Sequence, residues 1–238
     1  MTVAERTKVP LISSALNKFL YTDEELIESK PYSENGQKDF DSLGHPLYVS
    51  EETYWAEYYE HEINYEWNNG ILEEKSVASL SQYRMYRWFL KILESYLEVT
   101  ENAEILALET GFLLSLANRN AVRKPDIGVV RRDNPIPIQA DLRHYPGIFD
   151  LCVESLSDSS KKEVSRDTVD KLGEYQHVGV REYYILDDRP NRHAEFYHMN
   201  ASGIYVPIPR IHGGDVIQSI VLPGFQFRIS DLYQQPHL

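Results

Sequence analysis

The residues from Ile148 to Asp187 constrain the fold more than any other stretch of the chain. An apolar run, Ile148-Phe149-Asp150-Leu151-Cys152-Val153-Glu154-Ser155-Leu156, precedes a helix-like segment from Glu163 to Val178. A second apolar run follows, Glu182-Tyr183-Tyr184-Ile185-Leu186, and Gly179 between the two suits a left-handed helix cap. Strand, helix and strand in that order predict a parallel pair joined by a crossover within a mixed sheet. The expected class is α/β, of mixed α+β character, with a central mixed β-sheet flanked by helices.

The rest of the chain punctuates itself clearly. Asn69-Gly70 between Tyr65-Glu66-Trp67-Asn68 and Ile71-Leu72-Glu73 predicts a tight hairpin. Ser50 is a candidate N-cap for a helix reaching Glu60. From Leu80 to Val99 the apolar positions Tyr83, Tyr86, Leu90, Leu93 and Leu97 recur at helical spacing. Strands are expected over Glu104–Glu109, Phe112–Ala117 and Pro125–Val130, and a proline-rich loop over 131–147. From His193 to Phe227 the pattern reads as hairpins and short strands. Residues 1–45, which include a short helix signal at Asp23-Glu24-Glu25, form an appended arm, and 46–238 form one domain.

Charge decides which partners need consideration. The 238 residues carry a formal net charge of -13, which argues against coating nucleic acid through bulk positive charge. The acidity is uneven, because residues 1–70 hold 5 Lys/Arg against 14 Asp/Glu. Around the third predicted strand lie Arg119, Arg123, Lys124, Arg131 and Arg132, which read either as a local phosphate rim or as a solvated edge. No run of about 18 apolar residues is present, so no membrane span is expected, and the first twenty residues lack a secretory pattern. The expected location is the cytoplasm. The single Cys152 lies in an apolar run and reads as a buried small hydrophobe.

Two carboxylates stand out because of where they sit. Asp126 is followed by Ile127, Val129 and Val130, and Glu154 is preceded by Leu151 and Val153. A carboxylate in an apolar strand is costly unless it is paired, hydrogen-bonded or bound to metal. Mg²⁺ takes hard oxygen ligands, usually one or two carboxylates plus waters and phosphate oxygens, which these two residues supply if their strands are neighbours. The bland alternative places each at a strand end facing water. Asp167, Lys171 and Tyr175 recur every four residues, so all three share one helix face; they read as a group aimed at the carboxylates or as a surface ion pair beside a core tyrosine. No HExxH pattern, His/Cys cluster or glycine-rich phosphate loop competes. Ser157, Ser159 and Ser160 read as helix-capping residues rather than nucleophiles.

Pro125-Asp126 followed by Glu154 resembles the PD-(D/E)XK restriction-endonuclease-like superfamily, and more narrowly the bacterial Uma family of restriction-endonuclease-like proteins. The matching pieces are Tyr65-Glu66 with Gly70, Lys124-Pro125-Asp126-Ile127, Glu154-Ser155-Leu156-Ser157, Asp167 with Lys171 and Tyr175, and Gly179 through Asp187, spanning roughly residues 46 to 233. The resemblance implies a restriction-endonuclease-like core with additional C-terminal hairpins. It also implies metal ligation by Asp126 and Glu154, with a backbone carbonyl of Val153 or Ser155 added. Lys171 would then orient or activate the water, Glu66 would be an extra acidic residue, and Asp167 would hold Lys171. Two departures from the family pattern stand out. Leu156 occupies the superfamily's lysine position, so that Lys171 must replace it from the helix. Gln82 lies where an early-helix histidine is usual, and an amide can hydrogen-bond but cannot act as a general base.

The function implied is Mg²⁺-dependent hydrolysis of DNA phosphodiesters, with Mn²⁺ as an alternative ion and a homodimer as the working form. The rival expectations are a catalytically inactive nuclease-fold module that binds nucleic acid or a protein partner, and another metal-dependent hydrolase on the same fold.

Overall fold

The computed structural model describes residues 48–156, 161–189, 193–211 and 214–234. The expected arm over 1–45, Ser157, Ser159 and Ser160 lie outside them. Among the described residues no helix is long and apolar enough to cross a membrane.

Local signals set the first elements. Ser50 Oγ accepts from Thr53 N at 3.2 Å and caps helix α1 (Glu51–Thr53), which continues as a π-helical segment over Tyr54–Tyr58. Strands β1 (Tyr65–Asn68) and β2 (Ile71–Glu74) pair antiparallel with Asn68 opposite Ile71. Asn69 and Gly70 take φ of 47° and 98°, the left-handed pair that a two-residue hairpin requires. Gly70 is needed twice over, because a Cβ there would come within 2.3 Å of the Tyr48 ring. Helix α2 (Leu80–Thr100) begins at a capping box in which Ser79 and Gln82 exchange side-chain-to-backbone bonds.

The long helix is rotated slightly from the expected stripe. Met85, Phe89 and Leu93 are buried and Tyr86, Leu90 and Leu97 pack beside them, whereas Tyr83 faces solvent. The remaining strands are β3 (Ala103–Leu106), β4 (Phe112–Ser115), β5 (Asn120–Arg123), β6 (Ile127–Arg131), β7 (Leu151–Leu156), β8 (Glu182–Asp187), β9 (Glu195–Met199), β10 (Tyr205–Pro207), β11 (Val216–Gln218) and β12 (Gln226–Arg228). Strand β3 stops short of Glu109 because Leu108 and Glu109 adopt φ of 56° and 59°, which no strand accommodates. The expected helix over Glu163–Val178 is three pieces: α3 (Lys161–Ser165), a π-helical segment over Arg166–Asp170, and α4 (Lys171–Val178). Gly179, at φ 92°, caps it. A short helix, α5 (Ile229–Tyr233), follows β12.

Six strands form the central sheet in the order β10-β9-β8-β7-β6-β3. Strands β7 and β8 are parallel across the α3–α4 crossover, and the other pairs are antiparallel. This is the mixed sheet expected from the strand, helix, strand succession. Alternation along β7 and β8 sends Leu151, Val153, Tyr184 and Leu186 to the face covered by α2 and α5. Cys152, Leu156, Tyr183 and Ile185 go to the opposite face, against Tyr175 of α4. Each large apolar side chain so buried contributes about 1.5–3 kcal/mol. A second, four-stranded sheet, β2-β1-β5-β4, stands beside α4 through β4, where the rings of Phe112 and Tyr175 lie 5.6 Å apart. The elements that carry the acidic residues therefore come from both sheets and from the crossover helix.

Candidate active site

Strand register brings the two carboxylates together. Ile127 of β6 lies opposite Val153 of β7 in an antiparallel ladder, so the next step outward sets Asp126 against Glu154. Asp126 Oδ2 accepts from Ser155 N at 2.7 Å, which fixes its carboxylate beside the strand end. Glu154 shares the α4-facing side with Cys152 and Leu156 and is 2% exposed. Its Oε1 accepts from Lys171 Nζ at 2.9 Å and from Tyr175 Oη at 3.1 Å. Asp167, Lys171 and Tyr175 thus do share one face, and that face looks at the sheet.

Glu66 is fully buried and not the solvent-facing hairpin carboxylate its turn-proximal position allows. Its Oε1 lies 2.9 Å from Lys171 Nζ and accepts from Lys124 N at 2.9 Å, and Arg123 Nη1 donates to Oε2 at 3.2 Å. Lys171 Nζ accordingly meets three carboxylates: Glu66 at 2.9 Å, Glu154 at 2.9 Å and Asp167 at 3.0 Å. Three negative groups around one ammonium cannot all ionise with equal ease. Burial pushes the Glu154 carboxyl up, against the pull of Lys171 and Lys75. Burial also opposes charge on Glu66, but Lys171, Arg123 and Arg166 outweigh it and hold that carboxyl below the usual range.

Several participants are invisible in the sequence. Lys75, just past β2, sends its ammonium to Asp126 Oδ1 at 3.0 Å and to the carbonyl oxygen of Lys124 at 2.7 Å, with Glu109 Oε1 at 3.6 Å. In sequence it is a lysine after two glutamates at a strand end, which reads as solvated. Arg123 is fully buried. It donates from Nε to Glu174 Oε2 at 2.6 Å and from Nη2 to Oε1 at 2.8 Å, and its Nη1 also pairs with Glu73. Burial works against charge on Glu174, yet Arg123 and Arg119 bring that carboxyl down to about 2.

Neither of the two readings of Arg119, Arg123, Lys124, Arg131 and Arg132, a phosphate rim or a solvated edge, describes the whole set. Arg123 and Lys124 are interior groups, the latter donating to Tyr59 O at 2.8 Å and Asn64 Oδ1 at 3.2 Å. Arg119 is spent on Glu174 and Asn68, and Arg131 on Asp133; Arg132 stays exposed. The burial that removed a free rim is the same that lets Arg123 of β5 bring its guanidinium, and Lys124 its backbone N–H, to Glu66. The Ser155 carbonyl is also committed, since Gln82 Nε2 donates to it while Gln82 Oε1 accepts from Ser79 N. Gln82 therefore ties the start of α2 to the end of β7. A polar cleft of about 350 Å³ opens next to these groups, lined by Tyr59, His61, Asn64, Leu108, Glu109 and Lys124 among others.

Among the described residues no group of three or more His, Cys, Asp or Glu side chains is arranged to hold a metal ion. An open, hard-oxygen site does fit. The Lys75 ammonium already sits between a carboxylate oxygen and a backbone carbonyl oxygen, the donor types Mg²⁺ or Mn²⁺ would take, and Glu154 stands one register step away.

A sequence model of the Uma2 family, described as "putative restriction endonuclease", matches residues 52–230. No curated protein matches the chain. Among solved structures, a protein of DUF820 from Anabaena variabilis ATCC 29413, described as a "putative nuclease", aligns with a TM-score of 0.56 at 16% identity, over 74% of this chain and 92% of that chain. At that identity the likeness speaks for the fold, which is the nuclease-like mixed α/β arrangement expected. With three quarters of its length matched by the family model, the chain belongs to the Uma2 family.

Proposed function

We propose that the protein is a Mg²⁺-dependent endonuclease that hydrolyses DNA phosphodiesters, with Mn²⁺ able to substitute. The observation that carries this reading is the apposition of Asp126, just before β6, and Glu154 of β7, with Glu154 held by Lys171 and Tyr175. Asp126 and Glu154 would hold a divalent ion, whose charge would offset that of the phosphate oxygens and lower the pKa of a water bound to it. In the reaction the water oxygen bonds to phosphorus and the P–O bond to one sugar breaks. One water proton ends on the leaving oxygen and the other on the phosphate. Asp126 and Glu154 position the ion. Glu66, Asp167 and Tyr175 fix Lys171 and Glu154 in place, and Gln82 pins the strand end that carries them. A homodimer would set two such sites against the two strands of a duplex.

A second reading has a specific observation behind it. Lys171 and Lys75 already neutralise Glu154 and Asp126, and Leu156 replaces the lysine usual after the acidic strand residue. A site thus satisfied also suits a binding module without turnover. Supercoiled plasmid separates the two. With Mg²⁺ or Mn²⁺ the protein nicks it, EDTA stops the reaction, and Asp126→Ala or Glu154→Ala lowers the rate by about 100-fold or more. Nicking that survives both substitutions, or a wild type that binds plasmid without nicking it, favours the module.

A further inference from the structure

The site holds two lysines in different circumstances. Lys171 Nζ is enclosed by Glu66, Glu154 and Asp167 at 2.9, 2.9 and 3.0 Å and has no exposed surface. To reach a substrate it would have to leave three interior carboxylates without their shared cation. Lys75 stands at the mouth. Its side chain is 10% exposed, beside Asp126 at 19% and Glu109 at 38%. Its backbone is anchored, since Lys75 N donates to Asn64 O at 2.9 Å at the start of the hairpin, while the side chain is a flexible stem ending in three donors. Its ammonium reaches three oxygen acceptors: Lys124 O, Asp126 Oδ1 and Glu109 Oε1. Glu109 is brought there by a backbone with positive φ at both residues 108 and 109, a conformation that costs energy in non-glycine residues and is kept only where the surroundings enforce it. Glu109 and Lys124, both of which Lys75 touches, line the polar cleft.

Asp126 has both oxygens engaged, Oδ2 by Ser155 N and Oδ1 by Lys75. An ion that takes Asp126 as ligand must therefore share or displace the ammonium. Once displaced, that ammonium rides on a flexible stem that is already partly exposed. We propose that Lys75, and not Lys171, is the lysine that meets the scissile phosphate: it occupies the cation position on Asp126 in the free protein, yields Oδ1 on metal entry, and then stabilises the charge developing on the phosphate oxygens. Lys171 stays behind as the counter-ion that orients Glu154. The proposal rests on the nuclease reading of the same site and assigns to Lys75 the charge stabilisation that a superfamily lysine at position 156 would otherwise supply.

Its test uses the full chain as wild type, Lys75→Gln and Lys75→Arg, each checked for a native thermal transition. Mn²⁺ titration of the free proteins, without DNA, reads the first half: Lys75→Gln binds Mn²⁺ about tenfold more tightly, because a competing cation is gone from Asp126, and Lys75→Arg does not. Single-turnover nicking at saturating Mn²⁺ reads the second half: Lys75→Gln falls about 100-fold while Lys75→Arg keeps most of the rate. Unchanged or weaker Mn²⁺ affinity in Lys75→Gln overturns the proposal, as does tighter binding with an undiminished rate. A wild type that nicks while Lys75→Gln nicks equally well overturns the role of Lys75 alone; a wild type that binds Mn²⁺ and nicks nothing overturns the nuclease reading and this role together.

Discussion

Glu154 and Glu182 are buried carboxylates on neighbouring parallel strands, and burial pushes both carboxyls up. They differ in face and in company. Glu182 lies at the start of β8 and points with Tyr184 and Leu186 toward the α2 side. There Ser219 Oγ donates to it at 2.6 Å, Ile220 N at 2.6 Å and Tyr184 Oη at 3.1 Å. Neutral donors answer it, and it ties the C-terminal segment to the central sheet. Glu154 lies within the second half of β7 on the other face, answered by a lysine shared with two further carboxylates and facing Asp126 across the ladder. A buried acid is therefore not by itself the mark of a site. Excess negative charge gathered around too few cations is, because that arrangement costs stability unless a cation can bind.

The largest effect that can break this contrast comes from Lys171→Met. It leaves Glu66, Glu154 and Asp167 without their common partner and is expected to cost about 3–5 kcal/mol in urea unfolding. If it costs no more than a change at Glu182, the charged cluster is not strained in the way its geometry implies. Next comes the acid limb of stability. The folded-state carboxyl of Glu174 is lowered to about 2 from the ordinary 4.5, so its contribution is present in full above the ordinary value and is lost as pH falls from there toward 2. That linkage is worth about 3 kcal/mol, and stability measured against pH in Glu174→Gln should lack this portion of the slope. The smallest effect is that of Glu182→Gln, about 1 kcal/mol near neutral pH, since an amide oxygen can still accept from Ser219 or Ile220. Here the sign is reversed. The folded-state carboxyl is raised, so its contribution is full below the ordinary value and is lost as pH rises through the folded one; the substitution should flatten that part of the profile. A steeper profile in the variant would show that Glu182 is held by charge, as Glu154 is.

Much of the fold was legible because its signals are local. Asn69-Gly70 needs only its own two φ angles to make the hairpin, Ser79 and Gln82 need only each other to start α2, and Gly179 needs only its missing Cβ to end α4. Strand β5 was not foreseen, because four residues, Asn120 to Arg123, carry no readable period and two of them are polar. Nor was the π-helical stretch over Arg166–Asp170, whose composition is that of an ordinary helix. Of the proposed site, Asp126 and Glu154 could be picked out as charges in apolar runs, Lys171 by its four-residue spacing with Asp167 and Tyr175, and Glu66 through the family resemblance. Lys75 and Arg123 could not, since a charge at a strand end is ordinary in sequence.

What the sequence determined by itself is most of the elements and the parallel crossover that puts β7 beside β8, since turn chemistry, capping and hydrophobic periodicity act over a few residues. What only the tertiary structure decided is which charges are interior and with whom they pair. Lys75 and Asp126 stand 51 positions apart, Arg123 and Glu66 57. Whether each is a solvated surface charge or half of a buried pair depends on the four-stranded sheet being set against the end of the central one. Pairing energies in a low-dielectric interior are created by that juxtaposition, and no local stretch of sequence contains them.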